Sequence, residues 1–195
     1  MRKKLIFIGG TIGVGKTACV SELKKLLPRC ACLEGDACAD LVRVRAGKEI
    51  DRLVLENIAG VLGNFVSCPQ IENVIFAWSM HERNIAEKLL ARLGASDFDF
   101  YHVTLTASRE AIAARLSWDI RRGSRRSSQL THALDRLPLY DASDSIKLDT
   151  DRRTPREVAT KIFSIITSGE VSGYVYGGAA AEPDPATAQK GLSQM

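Results

Sequence analysis

Gly10-Thr11-Ile12-Gly13-Val14-Gly15-Lys16-Thr17 follows the apolar run Leu5-Ile6-Phe7-Ile8 and precedes a helical pattern reaching Leu27. Strand, glycine-rich loop and helix start form the context in which this spacing cradles a polyphosphate. Glycines let the backbone curl until successive N–H groups converge on an anion. The helix that follows adds unpaired N–H groups and the positive end of its dipole. The expected contacts are the main chain of Gly10, Gly13, Val14, Gly15 and Ala18, the Lys16 ammonium on the β- and γ-phosphates, and the Thr17 hydroxyl on Mg²⁺. Gly13-x-Gly15-x-x-Ala18 also satisfies a dinucleotide fingerprint. The loop from Ile8 to Gly13 is too long for that fold's tight turn, and the rival leaves Lys16-Thr17 without a task.

Further strands are expected near Ala31–Glu34, Asn73–Trp78, Phe100–Leu105 and Ser145–Leu148, and the runs at 73–78 and 100–105 are mostly apolar. Helical patterns separate them, at about 39–45, 49–66, 81–93, 108–122 and 128–136, with a last one over 155–166. Thr154 and Pro155 give that last helix its start. Alternation of this kind predicts an α/β fold with helices on both faces of a parallel sheet. Residues 1–168 read as one domain, and 169–195, which carry Gly177-Gly178, Ala179-Ala180-Ala181 and Pro183-Asp184-Pro185, as a disordered tail.

Composition is ordinary for a globular chain of 195 residues, with 45% apolar and 26% charged residues and a net charge of +4. That charge is too small to imply nucleic acid, and no nucleic-acid module or membrane span is visible. Five cysteines, an odd number, with no secretory leader ahead of them, predict reduced thiols and a cytoplasmic protein. Cys30, Cys32 and Cys38 match no common zinc spacing.

In open α/β sheets the ligand lies beyond the carboxyl ends of the strands. Glu34 and Asp36, after the second strand, lie two residues apart and point to one side of an extended chain. The reading gives Glu34 to the metal shell and Asp36 to the acceptor hydroxyl, or the reverse. The third strand ends without an acid; Ser79 and His81 there either line an acceptor pocket or open the next helix. Arg109, Arg115, Arg121, Arg122, Arg125 and Arg126 fall in one 18-residue window. Arginine forks match phosphoryl oxygens, and Gly123-Ser124 offers a hinge, so Arg115, Arg122 and Arg126 are the preferred members of a lid over about residues 115–130. A basic solvated face is the plain alternative. Arg152 and Arg153 are candidates to lie against a nucleotide base. His102 and His132 read as structural.

The loop Gly10–Thr17, Glu34-x-Asp36, the arginine segment Arg115–Arg126 and Ile146–Pro155 together resemble the small P-loop kinases, a group with adenylate, shikimate and gluconate kinases. The resemblance implies a three-layer P-loop NTPase fold, a five-stranded parallel sheet of order 2-3-1-4-5 with a helical lid, and ATP with Mg²⁺. Leu33–Cys38, Ile75–Glu82 and Arg136–Tyr140 resemble a bacterial group of nucleotide kinases or AAA-type ATPases. The run Val103–Ser108 through Arg115-Leu116 is similar to tunicamycin-resistance ATP-binding proteins. The arginines with which nucleoside monophosphate kinases grip the acceptor phosphate have no legible counterpart. The expected activity is transfer of the γ-phosphate of Mg-ATP to a small-molecule acceptor such as a nucleotide, sugar or antibiotic. A non-catalytic ATP-binding protein that sequesters a toxic molecule is the alternative.

Overall fold

A computed structural model describes residues 2–81, 84–94 and 98–168. The tail expected over 169–195 lies outside the described residues. Five parallel strands stand in the order β2-β3-β1-β4-β5: β1 Lys3–Gly9, β2 Cys30–Glu34, β3 Asn73–Ala77, β4 Phe98–Thr106 and β5 Ile146–Asp149. This is the expected order. β1 is central because it can be apolar on both faces; Leu5, Ile6, Phe7 and Ile8 are fully buried. Each such side chain contributes about 1.5–3 kcal/mol relative to exposure.

Helices cover both faces. α1 (Lys16–Leu26), α4 (Arg109–Arg121) and α7 (Pro155–Ser168) pack with Ile6, Ile8 and Val103 in one apolar cluster. On the other face α2 (Lys48–Ser67) and α3 (Ile85–Leu93) close over Leu5, Phe7 and Phe76. The arrangement is the three-layer α/β P-loop fold. Local signals fix several helix starts. The Ser108 hydroxyl accepts from the Ala111 N–H at 3.2 Å and caps α4. Thr154 and Glu157 form a reciprocal capping box at α7: the Glu157 N–H donates to Thr154 Oγ1, and the Thr154 N–H donates to Glu157 Oε2 at 2.7 Å.

One expectation fails locally. No helix forms over 39–45; a short 3-10 turn, Gly35–Cys38, gives way to irregular chain. Val42 and Val44 stay exposed there and Arg43 adopts a φ of 61°, which ends any right-handed helix. The helix expected over 128–136 forms as α5 (Ser128–Asp135), and a further turn of helix, α6 (Leu137–Asp141), follows it. Proline sits in its first turn, where a missing N–H costs nothing. No described helix is long and apolar enough to cross a membrane.

Candidate functional site

The loop between β1 and α1 is built tightly. Gly10 has a φ of 137°, and a Cβ there would meet the Leu105 carbonyl oxygen at 2.7 Å. Only glycine satisfies both demands. Gly13 and Gly15 also have positive φ, 81° and 105°. Thr11 is buried and donates its hydroxyl hydrogen bond to the Ala133 carbonyl at 3.0 Å, which ties the loop to α5. Val14 is buried; its carbonyl accepts from Arg115 Nη1 and Thr150 Oγ1, each at 3.3 Å. Gly15 occupies the N-cap of α1 without a side-chain cap. The first N–H groups of α1 therefore remain for a ligand.

Lys16 is half-buried, and its ammonium donates to the carbonyls of Gly10 at 2.8 Å and Thr11 at 3.0 Å and to Ser79 Oγ at 3.3 Å. Burial lowers its pKa to about 8; the Asp36 and Glu34 carboxylates oppose that fall, and Arg125 adds to it. A cation held on weak neutral acceptors is poised to exchange them for a phosphate. Thr17 Oγ1 donates to Glu34 Oε2 at 3.3 Å, so these two oxygens do come together. Such hard oxygen donors fit Mg²⁺, which keeps most of its waters and takes few protein ligands. Ala18 follows in the exposed first turn of α1.

Asp36 is fixed from an unexpected side. Trp78, just past β3, donates its indole N–H to Asp36 Oδ1 at 3.0 Å. The indole lies flat on Gly35, where a Cβ would sit 2.5 Å from the ring. Gly35 is thus required by close approach. Ser79 meets Lys16 rather than opening α3, whose N-cap is Asn84.

The arginines separate into distinct groups. Arg115 lies in the body of α4, and its guanidinium is committed to Val14 O, to Thr150 Oγ1 at 3.0 Å and to Thr150 O at 2.9 Å. The charges of Asp36, Arg125 and Glu34 act on Lys16. Arg122 and Arg126 are exposed, and Arg122 stacks its guanidinium 5.7 Å from the Trp118 ring. Arg125 is half-buried and pairs with Asp119 at 3.0 Å. Sequence reasoning favoured its neighbours; Arg125 follows a left-handed turn at Gly123, with a φ of 72°, and is held by its pairing with Asp119.

Two cavities flank the loop. One, of about 230 Å³, is lined by Val14, Cys19, Leu105, Arg115, Arg153 and Val158 and has room for a purine. Arg153 lines it; Arg152 and Arg153 are both exposed, and Arg152 has a φ of 55°. The other, of about 740 Å³, opens beside Trp78 and Ser79 and runs between α2, α3 and the 39–47 segment. His81 lines it, and His81 Nδ1 lies 3.1 Å from the Ser79 carbonyl. The other two histidines lie elsewhere. His132 is exposed. His102 Nε2 is buried with no hydrogen-bond partner among the described residues, and burial pushes that ring's pKa down to about 4.

The fold and the loop define a small P-loop kinase architecture. The AAA domain family model matches residues 6–129, well over half of the chain, and the protein belongs to that family. Among solved structures, the tunicamycin resistance protein of Deinococcus radiodurans is similar at 22% identity and a TM-score of 0.62, over 85% of this chain and 96% of that one. Shikimate kinase from Acinetobacter baumannii, in complex with shikimate, matches at 20% identity and a TM-score of 0.59, over 88% and 96%. The Mycobacterium tuberculosis APS kinase, in complex with AMPPNP and APS, matches at 19% and 0.59, over 85% and 98%. At these identities the likeness is one of fold. No curated protein matches the chain significantly.

Proposed function

We propose that the protein is an ATP-dependent phosphotransferase acting on a small-molecule acceptor. The observation that carries this reading is the meeting, at one end of the sheet, of a free cradle of N–H groups, a phosphate-seeking Lys16 and an oriented carboxylate, Asp36. The cradle and Lys16 hold the β- and γ-phosphates of ATP. Thr17 and Glu34 would hold Mg²⁺, which neutralises phosphate charge when bound. The narrower cavity takes the base, with Arg153 on its wall. Asp36, braced by Trp78, accepts the hydrogen bond of the acceptor hydroxyl and takes its proton as the oxygen lone pair attacks the γ-phosphorus. The bond from that phosphorus to the β–γ bridging oxygen breaks, and ADP leaves. Arg125 lies close enough to Lys16 to offset charge developing on the transferring group. Arg115 holds the loop from behind, a positioning task. Arg122 and Arg126, on the exposed turn, can reach the phosphates only if that turn closes. Five free thiols, Cys19, Cys30, Cys32, Cys38 and Cys68, support a reducing, cytoplasmic setting.

Sequestration without chemistry is the competing reading, and a braced carboxylate beside Lys16 favours transfer over it. The experiment is acceptor-stimulated ADP release over a panel of nucleotides, sugars and antibiotics, with mass spectrometry of the acceptor. A phosphorylated acceptor supports transfer; tight binding of an unmodified compound, with no ADP formed, supports sequestration and defeats the proposal.

A further inference from the structure

Cys30 and Cys32 take no part in phosphotransfer, yet they are placed together. They lie two residues apart in β2, so both side chains leave the same face of the sheet. Their sulfurs are 3.8 Å apart, within reach of an S–H···S hydrogen bond. Cys30 Sγ also lies 3.6 Å from the Ala31 carbonyl, which can only accept. Cys30 is therefore the member that keeps its proton, and Cys32 the member that receives the S–H. That bond, with the Lys24 ammonium on α1, holds the Cys32 thiol below its usual pKa, against partial burial and the Glu34 carboxylate. The same bond and burial push Cys30 up. Burial pushes Cys19 up to about 12 and raises Cys38 as well. The thiolate, not the thiol, is the nucleophile, and Cys32 is only half-buried, open to a small reagent.

The pair also lies along the seam that delivers the metal ligands. Cys30, Cys32 and Glu34 follow one another down one face of β2, and the two thiols pack on the apolar cluster that contains Val20 and Leu23 of α1. Thr17 and Lys24 share one side of α1. Thr17 meets Glu34 at 3.3 Å, and the Lys24 charge reaches both thiols. Atoms added to the Cys32 sulfur therefore enter the seam next to the Thr17–Glu34 contact. A disulfide within the pair is opposed by the strand itself. A rise of about 3.3 Å per residue puts the two Cβ atoms roughly 6.6 Å apart, whereas a disulfide needs about 3.5–4.5 Å. While β2 holds its shape, an oxidised Cys32 stays at the sulfenic acid.

We propose that Cys32 is a modification site: hydroperoxides oxidise it to a sulfenic acid, and that change separates Thr17 from Glu34 and weakens Mg-ATP binding. Its second half rests on the phosphotransfer reading above. In the step itself the Cys32 thiolate sulfur attacks the terminal peroxide oxygen; an S–O bond forms and the O–O bond breaks. The sulfur gives up two electrons, and the departing hydroxide or alkoxide takes a proton from water. The test treats the reduced full-length chain with hydrogen peroxide and dimedone, which captures sulfenic acids, and reads each cysteine by mass spectrometry. Calorimetry reads Mg-ATP affinity before and after peroxide alone. Cys32 should be labelled about five- to tenfold faster than each of the other four thiols. Affinity for Mg-ATP should fall about tenfold and return with dithiothreitol. Cys32→Ser should abolish both the label and the loss, with its untreated affinity within about twofold of the parent chain. Cys30→Ala removes the S–H donor, so the pH midpoint for alkylation of Cys32 by iodoacetamide should move upward, a shift that a purely packing role would not produce. Labelling led by another cysteine, a Cys30–Cys32 disulfide in place of the adduct, an unmoved midpoint, or a labelled Cys32 with unchanged Mg-ATP affinity overturns the inference. A reduced chain that binds no Mg-ATP breaks the phosphotransfer reading instead, and the labelling pattern still decides whether Cys32 is the oxidised site.

Discussion

The two sides of Lys16 are built differently. On the nucleotide side, Gly10, Val14, Thr11 and Thr150 are buried; Thr11 donates to the Ala133 carbonyl in α5, and Thr150, just after β5, donates to the carbonyls of Val14 and Thr106. On the side proposed for the acceptor, residues 39–47 form no regular element, and Leu41, Val42 and Val44 are exposed. The nucleotide site is made of main chain, so its geometry can be specified by glycines and a few hydroxyls. The proposed acceptor site is made of side chains, so its specificity can change without disturbing the fold.

Substitutions sharpen this contrast. Lys16→Ala should lower turnover by more than about 100-fold, the scale of losing one preorganised donor to a transition-state charge. Its melting temperature should not fall, since a half-buried cation is removed. Normal turnover in that variant would break the nucleotide side of the contrast. Thr150→Val keeps the shape of a buried side chain but removes the hydroxyl shared by Val14 O and Thr106 O. It should cost about 1–3 kcal/mol in urea unfolding, because polar partners are left buried and unpaired. Gly35→Ala acts on the other side. Its methyl group collides with Trp78 and frees Asp36, so kcat should drop about tenfold, the scale of a misplaced proton acceptor, while affinity for Mg-ATP holds. The smallest effect belongs to Val42→Ser on the open segment, within about 0.5 kcal/mol in the same unfolding assay. A large loss there would mean that the segment is packed more firmly than its 79% exposure implies.

The same division explains what the sequence shows in advance. The layers are legible because strands with continuous apolar runs alternate with helices, whereas the strand order comes only with the resemblance to the small P-loop kinases. Thr17 with Glu34 is legible because a strand end beside a phosphate loop leaves few other places for a carboxylate. Four features escape. Arg125 is indistinguishable by type from its neighbours until its pairing with Asp119 is known. The Trp78 brace on Asp36 joins residues 42 positions apart, and neither shows a local pattern. The 39–45 segment carries helical spacing, yet no neighbouring surface receives an apolar face, so periodicity alone does not make a helix. Arg115 reads as a lid residue by composition, but its donors are spent behind the loop.

The most direct measurement is calorimetric titration of the protein with Mg²⁺ and a non-hydrolysable ATP analogue at a series of pH values. Bound polyphosphate favours the charged form of Lys16, whose pKa in the free protein is near 8. Affinity should therefore be full below that value and fall, by up to about tenfold per pH unit, as pH rises through it. One-to-one binding with this decline is the expected result. No heat of binding for any magnesium–nucleotide complex, at any pH at which the protein is folded, would contradict it.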